Sequence, residues 1–349
     1  MAVSRIAILA EGGFSEHNAK TATGVLRYSP HEVVAVIDSD HAGTQVRDHI
    51  AGLNLDVPVV AGIDEALERS PTVLLIGIAP AGGKLPAAWR DTILRAIDAG
   101  LSIESGLHDF LGDDPELAAA AEARGVEIRD LRRAPAGLNV PTGENLTVDA
   151  HIVATVGSDC SLGKMTVCLE LDRTARERGV PSAFVPTGQT GIAIAGWGVA
   201  VDEVVSDYVA GASEQLVLEG RRRAGSGAVL WVEGQGSISH PSYSGVTLGL
   251  LHGSAPHAMI LVHEPGRTHL DMPDGPPIPP LPQLIEDYER MARYVRPARV
   301  VALSLKTNLL SPDEAADAVA AAEAETGLPA DDPVRNGGGK LLDAVLAAR

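Results

Sequence analysis

Aromatic residues are scarce: Phe, Trp and Tyr together supply 3% of the 349 residues. The apolar share is nonetheless 45%, so Ala, Val, Leu and Ile are expected to pack the cores. Cysteine is nearly absent. Only Cys160 and Cys168 occur, which excludes a disulfide framework. Positive charge is short as well, with 28 Lys and Arg against 46 Asp and Glu and a formal charge of −18. Nucleic acid or an anionic membrane would demand a basic face, so neither is an expected partner. Long apolar runs are also missing. The first apolar stretch, residues 6–10, is far too short for a signal-peptide core or a membrane span and reads as a strand. A cytoplasmic protein is the expectation.

A chain of 349 residues exceeds one ordinary core, which points to two domains. Short apolar runs at 5–10, 33–38, 57–60, 72–78, 101–104 and 126–129 alternate with helical patterns near 17–28, 42–49, 63–69, 86–99 and 115–124. Such alternation implies βαβ units and a parallel sheet, a Rossmann-like domain over residues 1–135. Its glycine turn, Glu11-Gly12-Gly13, lacks the G-x-G-x-x-G order, although Asp38 ends the second strand where a ribose-binding acid would sit. The domain therefore reads as a scaffold. A Pro- and Gly-rich linker at 136–145 precedes a second α/β domain at 146–349.

That second domain is organised around residues 151–171, HIVATVGSDCSLGKMTVCLEL. An apolar strand breaks at Gly157, a loop closes on Gly163-Lys164, and a helical pattern follows, which is the context of a phosphate-binding loop. Glycines let several N–H groups point at one anion, and the helix start and lysine add positive charge. The candidate cradle is Gly157, Ser158, Asp159, Cys160, Ser161, Gly163, Lys164, Met165 and Thr166. The spacing departs from the standard one: five residues separate the glycines, and Met165 stands where a magnesium-binding hydroxyl is usual, with Thr166 next. A thioether does not ligate magnesium. Cys160 sits in this electropositive loop, which is expected to lower its thiol pKa. With no paired histidine nearby in sequence, it reads as a packing residue.

Other candidates lie downstream. Residues 187–191 form a second glycine-spaced turn containing Gln189 and Thr190, and a helix is expected over 202–223, with Asp207 inside it. The strand Val229-Leu230-Trp231-Val232-Glu233 ends in an acid, with Gly234, Gln235 and Gly236 after it. Strand order in P-loop folds puts such an acid beside the loop, where it serves as a base or holds magnesium through water. His240, His252, His257, His263 and His269 are spaced by 12, 5, 6 and 6, matching no common metal site. No resident metal is expected. His240 and His263 are the histidines best placed to act as a base.

Three segments carry a resemblance: GSDCSLGKMT, PTGQTGIAIAGWGVAVDEVVSDYVAGASE and VEGQGSISHPSYSGVTLGLLHGSAPHAMILVHEP. Together they resemble the DgcN-type family of bacterial proteins, linked to N-acetylation of D-glutamate, over nearly the whole chain. More distantly, Gly157-Ser158-Asp159, Gly163-Lys164 and Val232-Glu233-Gly234 are similar to the nucleotide site of dethiobiotin synthetase, where a Thr directly follows the lysine. The first resemblance implies an acetyl-CoA-dependent N-acetyltransferase with a small amino-acid substrate. Glu233 or His240 would be the base, and Arg267, Lys306 and Lys84 are candidates to meet the substrate carboxylates. The second implies an ATP- and magnesium-using ligase or kinase. A nucleotide- or CoA-binding protein without catalysis is the remaining class. A closed homo-oligomer is expected from the frequency of such assemblies alone.

Overall fold

The computed structural model describes residues 3–15, 19–50, 52–78 and 80–349. The chain divides into two compact units. One comprises Met1–Arg133 with Gln189–Ala200, the other Ala134–Gly188 with Val201–Arg349.

In the first unit, β1 (Arg5–Leu9), β2 (Glu32–Ile37), β3 (Val59–Val60), β4 (Val73–Ile76), β5 (Ser102–Ser105) and β6 (Ile128–Asp130) form one parallel sheet. Its order, β3-β2-β1-β4-β5-β6, is that of the doubly wound Rossmann-like folds. The connecting helices are α1 (Lys20–Tyr28), α2 (Ile63–Leu67), α3 (Arg90–Asp98) and α4 (Pro115–Arg124). The start expected for the first helix, at His17, lies outside the described residues. Helix α4 shows how local chemistry sets these elements. Asp114 accepts the N–H groups of Glu116 and Leu117, Pro115 opens the helix, and left-handed Gly125 ends it.

Asp38, at the end of β2, is fully buried. Its carboxylate accepts the N–H groups of Gly12 (3.1 Å), Phe14 (3.0 Å) and Asp40 (3.2 Å) and lies 2.9 Å from Nδ1 of His41. Burial opposes its ionisation, but His41 and the three N–H groups outweigh that and hold its pKa below the usual carboxylate range. The acid that would meet a ribose is spent on closing its own glycine turn.

In the second unit, β7 (Ala150–Gly157) leads through the loop into α5 (Lys164–Glu177) and β8 (Ser182–Val185). The chain then supplies α6 (Gln189–Ala195) to the first unit before returning as α7 (Val209–Ala224), β9 (Ala228–Val232), α8 (Ser244–Ser254), β10 (Ala258–His263), α9 (Leu281–Ala292) and β11 (Arg299–Leu305). After α10 (Pro312–Thr326) come β12 (Ala330–Asp331), α11 (Pro333–Asn336) and α12 (Gly339–Ala347). The sheet is again parallel, in the order β12-β11-β10-β7-β9-β8. Its strands are buried on both faces, so they read as unbroken apolar runs. The rare aromatics work here as polar anchors: Trp231 is fully buried and donates its indole N–H to Ser182 Oγ at 2.9 Å.

Two expectations are corrected. Residues 189–200 do not stay with the second domain. Ile192, Ala193 and Ile194 are buried, and Thr190 Oγ1 bonds Thr21 Oγ1 of α1 at 2.8 Å. The helix expected over 202–223 begins only at Val209. Short 3₁₀ turns, Val201–Glu203 and Ser206–Tyr208, precede it because Val205 is extended, with ψ 133°. Among the described residues, no helix is long and apolar enough to cross a membrane.

Candidate functional site

The C-terminal ends of β7, β9, β10 and β11 gather most of the candidate residues, as expected where a parallel sheet binds its ligand. Gly157 ends β7, and a Cβ there would lie 2.8 Å from Lys164 Nζ and 2.9 Å from the Asp159 carbonyl. Glycine is needed at 157 for room. Gly163 is needed for conformation: its φ is +92° and it starts α5 with no side-chain cap. The first-turn N–H groups of α5 are therefore not taken by a capping side chain, which is what an anion cradle requires. Lys164, 6% exposed, donates from Nζ to the Asp159 carbonyl at 2.8 Å and so braces the loop. Met165 is buried, and Thr166, one turn position later, is half-buried.

Glu233 follows β9 and is 5% exposed. Its Oε2 accepts the Thr187 N–H at 3.0 Å, while Thr187 Oγ1 donates to the Glu233 carbonyl at 2.7 Å and accepts from Gln235 Nε2 at 3.0 Å. Gly234 N–H donates to Thr155 Oγ1 at 3.0 Å, pinning this turn to β7. The contact is so close that a Cβ on Gly234 would lie 1.8 Å from the Thr155 carbonyl. His263 places Nδ1 2.8 Å from Ser158 Oγ, and burial pushes its pKa down, so the neutral ring is favoured. His240 is 1% exposed, and its Nδ1 accepts the Ser242 N–H at 3.2 Å.

Asp159 is fully buried. It accepts the N–H groups of Cys160 (2.7 Å) and Asp271 (2.8 Å) and the Arg267 guanidinium (3.0 Å). Burial opposes ionisation of Asp159, but these donors prevail and hold its pKa low. Arg267 also pairs with Glu264, and Glu264 holds Lys306 Nζ at 2.9 Å. The quartet of two acids and two bases is neutral. Arg267 and Lys306 thus neutralise Asp159 and Glu264 and bring no net positive charge for a substrate carboxylate.

Family models of DUF1611, a domain of unknown function, match the chain twice: the P-loop domain over residues 139–342 and the Rossmann-like N-terminal domain over 39–134. The chain belongs to the DUF1611 family. Its structure is similar to a DUF1611 family protein from Anabaena variabilis, with 42% identity, a TM-score of 0.92 and 99% of each chain covered. Its sequence is 38% identical over 337 residues to a D-glutamate N-acetyltransferase of Tritonibacter scottomollicae, covering 94% of each. A D-glutamate N-acetyltransferase of a Pseudoalteromonas species is 34% identical over 288 residues, covering 82% of this chain and 83% of the other.

Within this DUF1611 chain, the loop 157–166, Glu233, Gln235, His240, His263, Arg267 and Lys306 all belong to the second unit. Gln189 and Thr190 fold with the first, and Thr190 is committed to Thr21. Asp207 is exposed on its 3₁₀ turn. The thiol expectation is also reversed. Burial, together with the adjacent Asp159, pushes the Cys160 pKa up despite Lys164.

Sequence reasoning misses Tyr288 of α9. Its buried hydroxyl donates to the Gly157 carbonyl at 2.8 Å and accepts the Ile238 N–H at 3.2 Å, so one phenol positions both the loop and the segment after Glu233. The one signal for it is an aromatic at a core position in a protein with almost none.

Proposed function

We propose that this protein transfers the acetyl group of acetyl-CoA to the amine of D-glutamate. The observation that carries the reading is the 38% identity over 94% of both chains to a protein named for that activity. The site's chemistry is compatible. Coenzyme A presents phosphates suited to a loop with an open helix start and a lysine, and none of these groups needs magnesium.

The reaction needs a neutral amine that attacks the thioester carbonyl carbon. A C–N bond forms, the C–S bond breaks, and coenzyme A leaves as its thiol once it gains a proton. In this reading Glu233 takes the proton lost by the amine. One of its oxygens is fixed by the Thr187 N–H, so the carboxylate is held in place. Met165 is buried where a ligase of the dethiobiotin synthetase type would carry its magnesium-binding hydroxyl.

The test is mass spectrometry of purified protein incubated with acetyl-CoA and either D- or L-glutamate, in excess chelator. N-acetyl-D-glutamate is expected. No acetylated product would overturn this reading, and turnover that appears only when magnesium-ATP replaces the chelator would favour the ligase.

A further inference from the structure

A neutral imidazole has one nitrogen that accepts a hydrogen bond and one that donates. Nδ1 of His240 is taken by the Ser242 N–H at 3.2 Å, which puts the proton of the neutral ring on Nε2. Nε2 is buried and has no hydrogen-bond partner among the described residues. The ring has little freedom to turn, since it packs on Tyr243 with centroids 4.6 Å apart and its main chain bonds Ser237, Tyr243 and Ser244. Burying a polar group without a partner costs about 1–3 kcal/mol, so a ligand that supplies the partner is the natural explanation.

The position identifies the partner. A ring nitrogen of His240 lies within 4.8 Å of an Asp159 carboxylate oxygen and of Cys160 Sγ, at the phosphate-type loop. These three side chains also have the makings of a metal site. A metal at Nε2, however, needs that nitrogen's lone pair, and the Ser242 bond leaves a proton there instead. The same proton bars Nε2 of the neutral ring from acting as a base.

We propose that His240 is a neutral hydrogen-bond donor, through Nε2–H, to an oxygen of the ligand held at the 157–164 loop. The ligand's identity as coenzyme A or its acetyl thioester rests on the proposed acetyl transfer. The accepting oxygen is then a phosphate oxygen or the carbonyl oxygen that becomes negative as the amine attacks.

Nitrogen-15 NMR of histidine-labelled wild-type protein, without ligand, reads the tautomer directly. An Nε2–H ring at His240 is expected. An Nδ1–H ring, or a bound metal that a chelator removes with a change in the His240 signals, would overturn the proposal. Binding of coenzyme A and of inorganic pyrophosphate, with kcat and KM for acetyl-CoA, is then compared in His240→Leu and His240→Gln. The Leu variant is expected to lose about tenfold, and Gln, which keeps an N–H, to stay within about threefold of wild type. A loss in pyrophosphate and coenzyme A binding identifies a phosphate acceptor; a loss confined to kcat identifies the carbonyl. A Leu variant unchanged in every measurement, or a Gln variant as impaired as Leu with one limb of the pH–rate profile gone, would refute the donor role. Should wild type acetylate nothing while the tautomer and pyrophosphate results hold, the proposed function fails and the donor assignment stands.

Discussion

Each unit places a loop after its central strand, β1 in one and β7 in the other, within similar parallel sheets. The loops have opposite fates. In the first unit the carboxylate of Asp38 fills the turn and consumes the N–H groups of Gly12 and Phe14. In the second, a lysine braces the loop through a carbonyl, and the neighbouring acid, Asp159, is neutralised by Arg267. A turn filled by its own carboxylate has no use for an anion; a turn braced by a lysine does. The fold supplies two equivalent places, and a few side chains decide which one is a site.

The largest effect should come from turning a carboxylate into an amide in each unit. Glu233→Gln is expected to lower acetyl transfer by about two to four orders of magnitude, the usual share of a positioned base, with little change in coenzyme A affinity. Asp38→Asn should do the reverse, costing about 1–3 kcal/mol of stability through its broken N–H contacts while turnover per folded molecule holds. Turnover and denaturant midpoints measured on both variants decide it. Full activity in Glu233→Gln would remove the base, and inactivity in a stable Asp38→Asn protein would show that the first unit is more than a scaffold.

Glycines sharpen the contrast. At Gly234 an added Cβ meets the Thr155 carbonyl at 1.8 Å, and Ala is expected to cost about 3 kcal/mol or more as the turn and β7 are forced apart. At Gly12 nothing lies within 4 Å, but φ is +71°, so Ala should cost only the left-handed strain of about 1–2 kcal/mol. Equal losses in chemical denaturation would contradict this division between space and conformation. An effect of similar size, on binding rather than stability, is expected from Lys164→Ala: about ten- to a hundredfold weaker acetyl-CoA binding, from the loss of one charged donor. An unchanged dissociation constant would remove the loop from the binding site.

Much of this was legible in the sequence, and the limits are physical. Apolar runs buried on both faces announce parallel strands, and the Gly157–Lys164 pattern and the acid after β9 follow from strand order. Periodicity marks α6 as a helix but is silent on which core it joins, because Ile192 and Ile194 suit either. Arg267 looks like a free cation in sequence, yet besides the nearby Glu264 it pairs with Asp159, 108 residues away in the chain. The His240 tautomer depends on one N–H two residues on, a matter of loop geometry that no pattern encodes.

The remaining effect concerns acid, where the units should again differ. In the second unit, His151 and His257 stack with centroids 5.3 Å apart. Burial is the main reason that each has a pKa lowered from 6.5 to about 4; the neighbouring His257 and Arg349 add to it for His151, and Arg296 for His257. Well above pH 6.5 both rings are neutral in either state, and their contribution to stability is complete. As pH falls from about 6.5 toward 4, the unfolded chain takes up protons that the fold refuses, so stability declines. Asp38 behaves differently: its folded pKa is depressed below 3.8, so its contribution persists above that value and is lost only as pH falls through the folded pKa. Denaturation followed by hydrogen exchange should therefore show protection declining in the second unit between pH 6.5 and 4, with the Asp38 contribution to the first unit intact. Replacing His151 with Phe should remove its share of that decline and leave the share of His257. A slope that survives the substitution unchanged would assign the acid sensitivity elsewhere.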